Sequence, residues 1–221
     1  VLTMTATPIP RTLAVTVFGD LDISILDQLP AGRSPIASHV VTDSQPALVA
    51  RVWQRVAEEV AKGRQAFVVC AGIGLLHGKQ SAETKAEVMA SFSKGETDIL
   101  VSTTVIEVGV DVPNATTMVI LDADRFGISQ LHQLRGRVGR GAQPGLALML
   151  TAAEQGSLAL ERVKAVAETS DGFKLSEIDL ELRREGDVLG ASQSGGRSSL
   201  KLLRVLKDQP IIQKARDQVL E

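Results

Sequence analysis

The sequence predicts an α/β fold, a parallel sheet with helices on both faces followed by a helical C-terminal appendage. Three observations predict it. Strand-like and helix-like runs alternate through the middle of the chain. The strand-like runs, Phe67-Val68-Val69-Cys70 among them, are apolar almost throughout, as strands buried on both faces must be. After Thr151 the strand pattern stops, and helical runs continue around a polar Gly/Ser stretch at 186–199.

The elements follow in order. Residues 3–7 read as a short strand, and Pro8 and Pro10 open a helix that runs through Phe18. Residues 21–29 alternate apolar and polar side chains, and Pro30-Ala31-Gly32 makes a turn. A strand over 36–41 leads to Asp43-Ser44-Gln45-Pro46, a helix start. From there Leu48, Val49, Val52, Trp53, Val56 and Val60 recur at three- and four-residue steps, which predicts one buried helix face with Trp53 in the core, closed by Gly63. Strands are predicted over 66–70, 73–77, 98–102, 118–122 and 146–151, with helices over 82–93 and 129–138. Helices over 154–169 and 175–184 follow, and a last one from about 200, interrupted by Pro210.

One junction is physically wrong. The runs 66–70 and 73–77 both read as buried parallel strands, yet only Ala71 and Gly72 join them. A parallel crossover needs a dozen or more residues, usually a helix. We therefore expect a loop and helix to be absent between them.

Composition narrows the function. No run of apolar residues is long enough to span a membrane as a helix, and the N-terminus lacks the basic flank and apolar core of a signal peptide. The single cysteine, Cys70, allows no internal disulfide, fits a reducing cytoplasm and sits in a core-like run rather than a nucleophile's setting. A formal net charge of −2 gives no global basic signature, so any nucleic-acid contact must come from local placement of Arg, Lys and backbone N–H groups. With no Tyr and one Trp, stacking of bases on aromatics is not the expected mode.

The strongest chemical signal is Gln133-Leu134-Arg135-Gly136-Arg137-Val138-Gly139-Arg140-Gly141. Gly136, Gly139 and Gly141 allow close backbone approach. Arg137 and Arg140, three apart on what reads as a helical turn, point to one side. Two guanidiniums aimed at one spot suit a phosphate chain that gains charge during transfer. Upstream, the strand 98–102 ends in hydroxyls at Thr103 and Thr104, followed by Gly109 and Asp111 in a turn. Strand C-terminal ends are where open α/β sheets bind ligands, so taken alone this segment reads either as a phosphate- and ribose-binding edge or as a core strand with a capped turn.

Together these residues resemble the motifs of superfamily-two helicases. Gln133–Arg140 matches the sixth motif, Thr103–Asp111 the fifth, the 73–78 run with His77-Gly78 the fourth, and Thr5-Ala6-Thr7-Pro8-Ile9-Pro10-Arg11-Thr12 the third. The stretches at 18–22 and 29–33, then Asp171-Gly172-Phe173 and Asp179-Leu180-Glu181-Leu182-Arg183, resemble the RecG family in particular. The motifs occur in the family's order over almost the whole chain.

The resemblance implies a RecA-like sheet and a division into three parts. These are the end of a first motor lobe and linker at 1–34, a second RecA-like lobe at 35–152, and a helical translocation motif with the C-terminal segment at 153–221. It implies that Arg137 and Arg140 are catalytic arginine fingers and that Gln133 senses nucleotide. Gly109 and Asp111 would line the nucleotide side, while Thr103, Thr104, His77 and Gly78 would touch the DNA backbone. Thr5, Thr7, Arg162, Arg183 and Gln193 would couple hydrolysis to translocation; taken alone, Arg162 reads as part of a solvated charged face. The tail departs from the family at Arg184-Glu185-Gly186 and Ser192, which leaves the path of that loop open.

The implied activity is ATP-dependent helicase action on branched duplex DNA, at stalled forks and Holliday junctions, in recombination and repair. ATP and Mg2+ would be held mainly by a first lobe. Neither a Gly-x-x-x-x-Gly-Lys-Ser/Thr loop nor a magnesium-binding acidic cluster occurs here, so this chain alone is expected to be inactive. Expected partners are the first lobe and wedge domain of the same protein, branched DNA and a single-strand binding protein, in a monomeric, cytoplasmic, nucleoid-associated bacterial enzyme. Two alternatives remain: the motor of a transcription-repair coupling factor, and a lobe that only binds DNA or a partner.

Overall fold

The computed structural model describes residues 34–70, 82–103 and 111–182; sequence readings on other residues lie outside it. The chain divides into two compact units. The first, Leu29–Ser170, holds a five-stranded sheet. Its strands are β1 (Ile36–Thr42), β2 (Gln65–Cys70), β3 (Ile99–Ser102), β4 (Ala115–Leu121) and β5 (Gly145–Thr151). The order across the sheet is β1-β5-β4-β2-β3, every pairing parallel. Helices α1 (Pro46–Ala61), α2 (Ala82–Ser93), α3 (Ile128–Arg135) and α4 (Leu158–Glu168) accompany them, with a 3-10 turn at Ala123–Arg125. In the second unit, α5 (Gly172–Leu182) begins where the Asp171 carboxylate accepts from the N–H groups of Phe173 and Lys174, at 2.8 and 3.3 Å. That cap starts the helix three residues earlier than its apolar pattern predicts. Among the described residues no helix is long and apolar enough to cross a membrane.

The two faces of the sheet carry separate cores. On one, Val52 and Val56 of α1 meet Val41, Ala66, Val68, Val119, Leu148 and Leu150. On the other, the Phe67 ring lies 5.0 Å from that of Phe92 on α2. Burying side chains of this size contributes about 1.5–3 kcal/mol each. Two of the six residues of the predicted α1 stripe are corrected. Val52 and Val56 are buried and Val49 and Val60 pack against them, but Leu48 and Trp53 are 48% and 42% exposed. The stripe is narrower than six apolar residues because α1 meets a flat sheet along one line, and Glu59 occupies part of that line.

Glu59 is the main polar group in this layer. It is almost fully buried, and Arg64, Arg55 and Lys62 approach it at 2.6, 3.0 and 3.3 Å, while the Thr116 hydroxyl donates to it at 3.3 Å. Burial pushes the Glu59 carboxyl up, but hydrogen bonds from Arg64 and Lys62, with Arg55 beside them, outweigh it and hold the group below the usual carboxylate range. A lowered folded-state pKa contributes stability above the unfolded pKa, and that contribution is lost as pH falls through the folded value. Urea midpoints should therefore fall on acidification below about pH 4.5, and Glu59→Gln should flatten that dependence. An unchanged pH slope in the variant would remove Glu59 from the account.

Candidate functional site

The arginine motif is positioned by glycines. Helix α3 stops at Arg135 with Gly136 as its cap, and Gly139 takes a left-handed φ of +69°. The predicted helix to Val138 is thus too long, and Arg137 and Arg140 do not share a helical turn. A different device aims Arg140. A Cβ on Gly141 would lie 2.6 Å from the Pro113 carbonyl oxygen, and one on Gly139 would lie 2.9 Å from Ile36 and 3.1 Å from the Ser34 carbonyl. The loop therefore lies directly on the start of β1 and on the turn before β4. The Ser34 hydroxyl bonds the Gly141 carbonyl at 3.1 Å and the Gly145 N–H bonds that of Pro35 at 3.0 Å.

Pressed against Pro113, the loop brings Arg140 to Asp111. Its Nη1 lies 3.5 Å from the carboxylate while Nε donates to the Gly136 carbonyl at 3.1 Å. Both side chains reach solvent, so this pair adds about 0–1 kcal/mol and serves to orient Arg140 rather than to stabilise the fold. Gln133 and Arg137 are half-buried beside it in sequence, at the end of α3 and in the turn after it. Gly141→Ala should displace this loop and weaken every property that depends on Arg140; an unaltered nucleotide response would show that the close approach to Pro113 is dispensable.

Thr103 lies elsewhere. It follows the last residue of β3, at the C-terminal edge of the sheet, where the Ser102 hydroxyl donates to the Thr103 carbonyl at 2.8 Å. Asp111 precedes β4, at the N-terminal edge, with the starts of β1 and β5. The Thr103 hydroxyl and the Asp111 carboxylate therefore do not share the single strand-end site that sequence order suggested. Seven-residue β4 separates the two edges by roughly 20 Å at about 3.3 Å per residue. Thr104, Gly109, His77, Gly78, Thr5, Thr7, Arg183 and Gln193 lie outside the described residues.

Two more arginines are tied down. Arg162 on α4 is half-buried and donates to the Asp124 carbonyl at 3.3 Å, so it is not on a solvated charged face. Arg135, to which the sequence assigned no role, is buried. Its guanidinium donates to the carbonyls of Val166 and of Thr169 (2.8 Å for the latter) and lies 2.7 Å from His132 Nδ1. It thus closes the C-terminal end of α4, where orphan carbonyls and the helix dipole favour a cation. Nothing in the spacing of the motif distinguishes it from Arg137 and Arg140. Cys70 ends β2 half-buried; burial, then the charge of Asp122, pushes its thiol up, away from a nucleophile's range.

Comparison with known proteins bears on both halves of the chain. The helicase conserved C-terminal domain matches residues 39–142, and the family described as ATP-dependent DNA helicase RecG, domain 3, C-terminal, matches residues 169–221. The ATP-dependent DNA helicase RecG of Mycobacterium leprae (strain TN) is 49% identical over 253 residues, covering 98% of this chain and 34% of that protein. Its counterpart in Staphylococcus epidermidis is 46% identical over 249 residues, covering 100% and 36%. A solved structure of RecG bound to a three-way DNA junction is 40% identical with a TM-score of 0.70, covering 94% of this chain and 30% of that one. This chain spans about a third of the length of those relatives. Both alignments are longer than its 221 residues, so the relatives carry residues within the matched span that it does not. The match at 169–221 covers Asp171-Gly172-Phe173 and Asp179-Leu180-Glu181-Leu182-Arg183, and the chain belongs to the RecG family of superfamily-two helicases.

Proposed function

We propose that this chain is the second motor lobe, with part of the translocation segment, of an ATP-driven enzyme that remodels branched DNA. The observation that carries the reading is the pairing of Arg140 with Asp111 at one edge of the sheet, with Thr103 at the other. A lobe that faces nucleotide on one edge and DNA on the other can convert closure around ATP into a shift of its grip on a duplex. A relative solved with a three-way DNA junction supports branched DNA as the substrate.

In this reading Arg137 and Arg140 approach the γ-phosphate from across a cleft and stabilise the charge that builds on its oxygens during transfer. Gln133 senses the nucleotide, and Asp111 with Gly109 borders the ribose side. The donor set fits such a ligand, because the guanidinium of Arg140 is oriented but still open to solvent. ATP and Mg2+, held mainly by the first lobe of the same protein, supply the phosphoryl group and its counter-charge. Thr103, Thr104, His77 and Gly78 grip DNA phosphates. Contacts of this kind are independent of sequence and weaken with salt. Thr5, Thr7, Arg162, Arg183 and Gln193 carry each cycle to the duplex.

The test is ATP hydrolysis by the full-length protein with a three-way junction, linear duplex or no DNA. Strong stimulation by the junction, falling as salt rises, is expected. Junction binding with no DNA-dependent turnover would leave only a binding lobe.

A further inference from the structure

Helix α1 ends in a cap that sets one arginine beside the loop of Arg140. Gly63 takes a left-handed φ of +73°, its N–H donates to the Val60 carbonyl at 2.8 Å, and the Arg64 N–H turns back to the Glu59 carbonyl at 3.1 Å. A left-handed glycine with this pair of bonds closes a helix and turns the chain out of it. The Arg64 side chain then meets two acceptors. Nη1 donates to Glu59 at 2.6 Å, and Nη2 donates to Gln143 Oε1 at 3.1 Å. Charge balance does not require Arg64 on Glu59, because Arg55 and Lys62 already approach Oε1 at 3.0 and 3.3 Å. Oε2 instead takes Arg64 and the Thr116 hydroxyl. A planar guanidinium fixed at one nitrogen has the other nitrogen aimed, here at Gln143.

Gln143 belongs to the loop that carries Arg140. Gly141 lies on Pro113, and between it and β5 the residues Ala142, Gln143 and Pro144 are exposed. The bond from Arg64 ties that exposed stretch to a buried carboxylate. A second tie reaches the same turn. Asn114, next to Pro113, donates its amide to the Gly63 carbonyl at 3.0 Å and to Gln65 Oε1 at 3.3 Å. Its own carbonyl accepts from the Gln65 N–H at 3.1 Å. The segment that holds Asp111 and the loop that holds Arg140 are therefore both fastened to residues 63–65.

We infer that Arg64 is a positioning residue for Arg140. Held on Glu59, it fixes the arginine loop through Gln143, while Asn114 fixes the turn of Asp111 to the same base. A loop with glycines at 136, 139 and 141 has wide conformational freedom, and each tie removes part of it. A guanidinium that wanders loses transition-state stabilisation, which depends on placement, while nucleotide binding is spared. The functional half of this inference rests on the proposed role of Arg140 at the γ-phosphate; the structural half does not.

The experiment pairs a mobility readout with a kinetic one. In this chain, the nitrogen–proton NOE of the Arg140 Nε–H group reports how tightly that side chain is held. Gln143→Ala and Arg64→Lys should lower it, whereas Gln143→Glu, which keeps an acceptor for Arg64, should retain it. In the full-length protein the first two substitutions should cut junction-stimulated kcat by about three- to tenfold, the range for one lost hydrogen bond, with KM for ATP nearly unchanged. Gln143→Glu should turn over like wild type. Because Gln143 is exposed, its variants should keep the wild-type thermal midpoint, and they decide alone if Arg64→Lys unfolds. An unchanged NOE in Gln143→Ala, or an equal drop in Gln143→Glu, overturns the inference. A lowered NOE with unchanged turnover supports the positioning and overturns instead the placement of Arg140 at the γ-phosphate.

Discussion

Arg140→Ala in the full-length protein is expected to cut DNA-stimulated ATP hydrolysis about a thousandfold, the low end of the range for an arginine finger, while nucleotide affinity changes little. The split follows from where Arg140 sits. It is held by the Gly136 carbonyl and Asp111 at the strand N-terminal edge, and among the described residues no buried partner depends on it. Its loss should therefore leave the fold intact and remove charge stabilisation needed chiefly in the transition state. Arg140→Lys should restore little, because a lysine cannot reproduce a planar guanidinium held at two points. Steady-state turnover with a three-way junction, alongside binding of a fluorescent nucleotide, separates the two quantities. Near-normal turnover would refute the finger role.

A second large effect is expected two residues from Arg137, with the opposite character. Arg135→Met should lower folding stability by about 2–4 kcal/mol, because it removes the charged donor from the carbonyls of Val166 and Thr169. Arg135→Lys should recover only part of this, since one ammonium cannot meet both carbonyls and His132 with the guanidinium's geometry. Denaturant unfolding of the three proteins measures the order directly. Equal midpoints for wild type and Arg135→Met would mean that α4 is held by its apolar contacts alone. One motif thus contains an arginine that acts on ligand and another that holds a helix, and an alanine scan that reads only activity would confuse them.

Several features were legible before any coordinates. The alternation of apolar strands and helices required a parallel two-faced sheet, since strands such as Ala115–Leu121 are buried along nearly their whole length. The helix Ala82–Ser93 is where its pattern put it. Other boundaries moved by a few residues for local reasons. Ser157 caps α4, accepting from the Leu160 N–H at 3.2 Å, so the helix starts after residue 154 rather than at it. Gly136 and a left-handed Gly139 ended α3 early.

The sequence by itself determined the fold class, the family and the residue types available for phosphate chemistry, because periodicity and motif order are properties of a single chain. Tertiary structure alone decided which residues meet. Motif order could not tell that Asp111 and Arg140, 29 positions apart by number, come within 3.5 Å, or that Thr103 is left at the other edge. It could not tell that Trp53 faces out while Arg135 faces in. Those outcomes depend on strand order, on a glycine loop that fits against Pro113, and on which carbonyls a neighbouring helix leaves unpaired. Each is a contact between distant segments, and spacing along the chain carries no record of it.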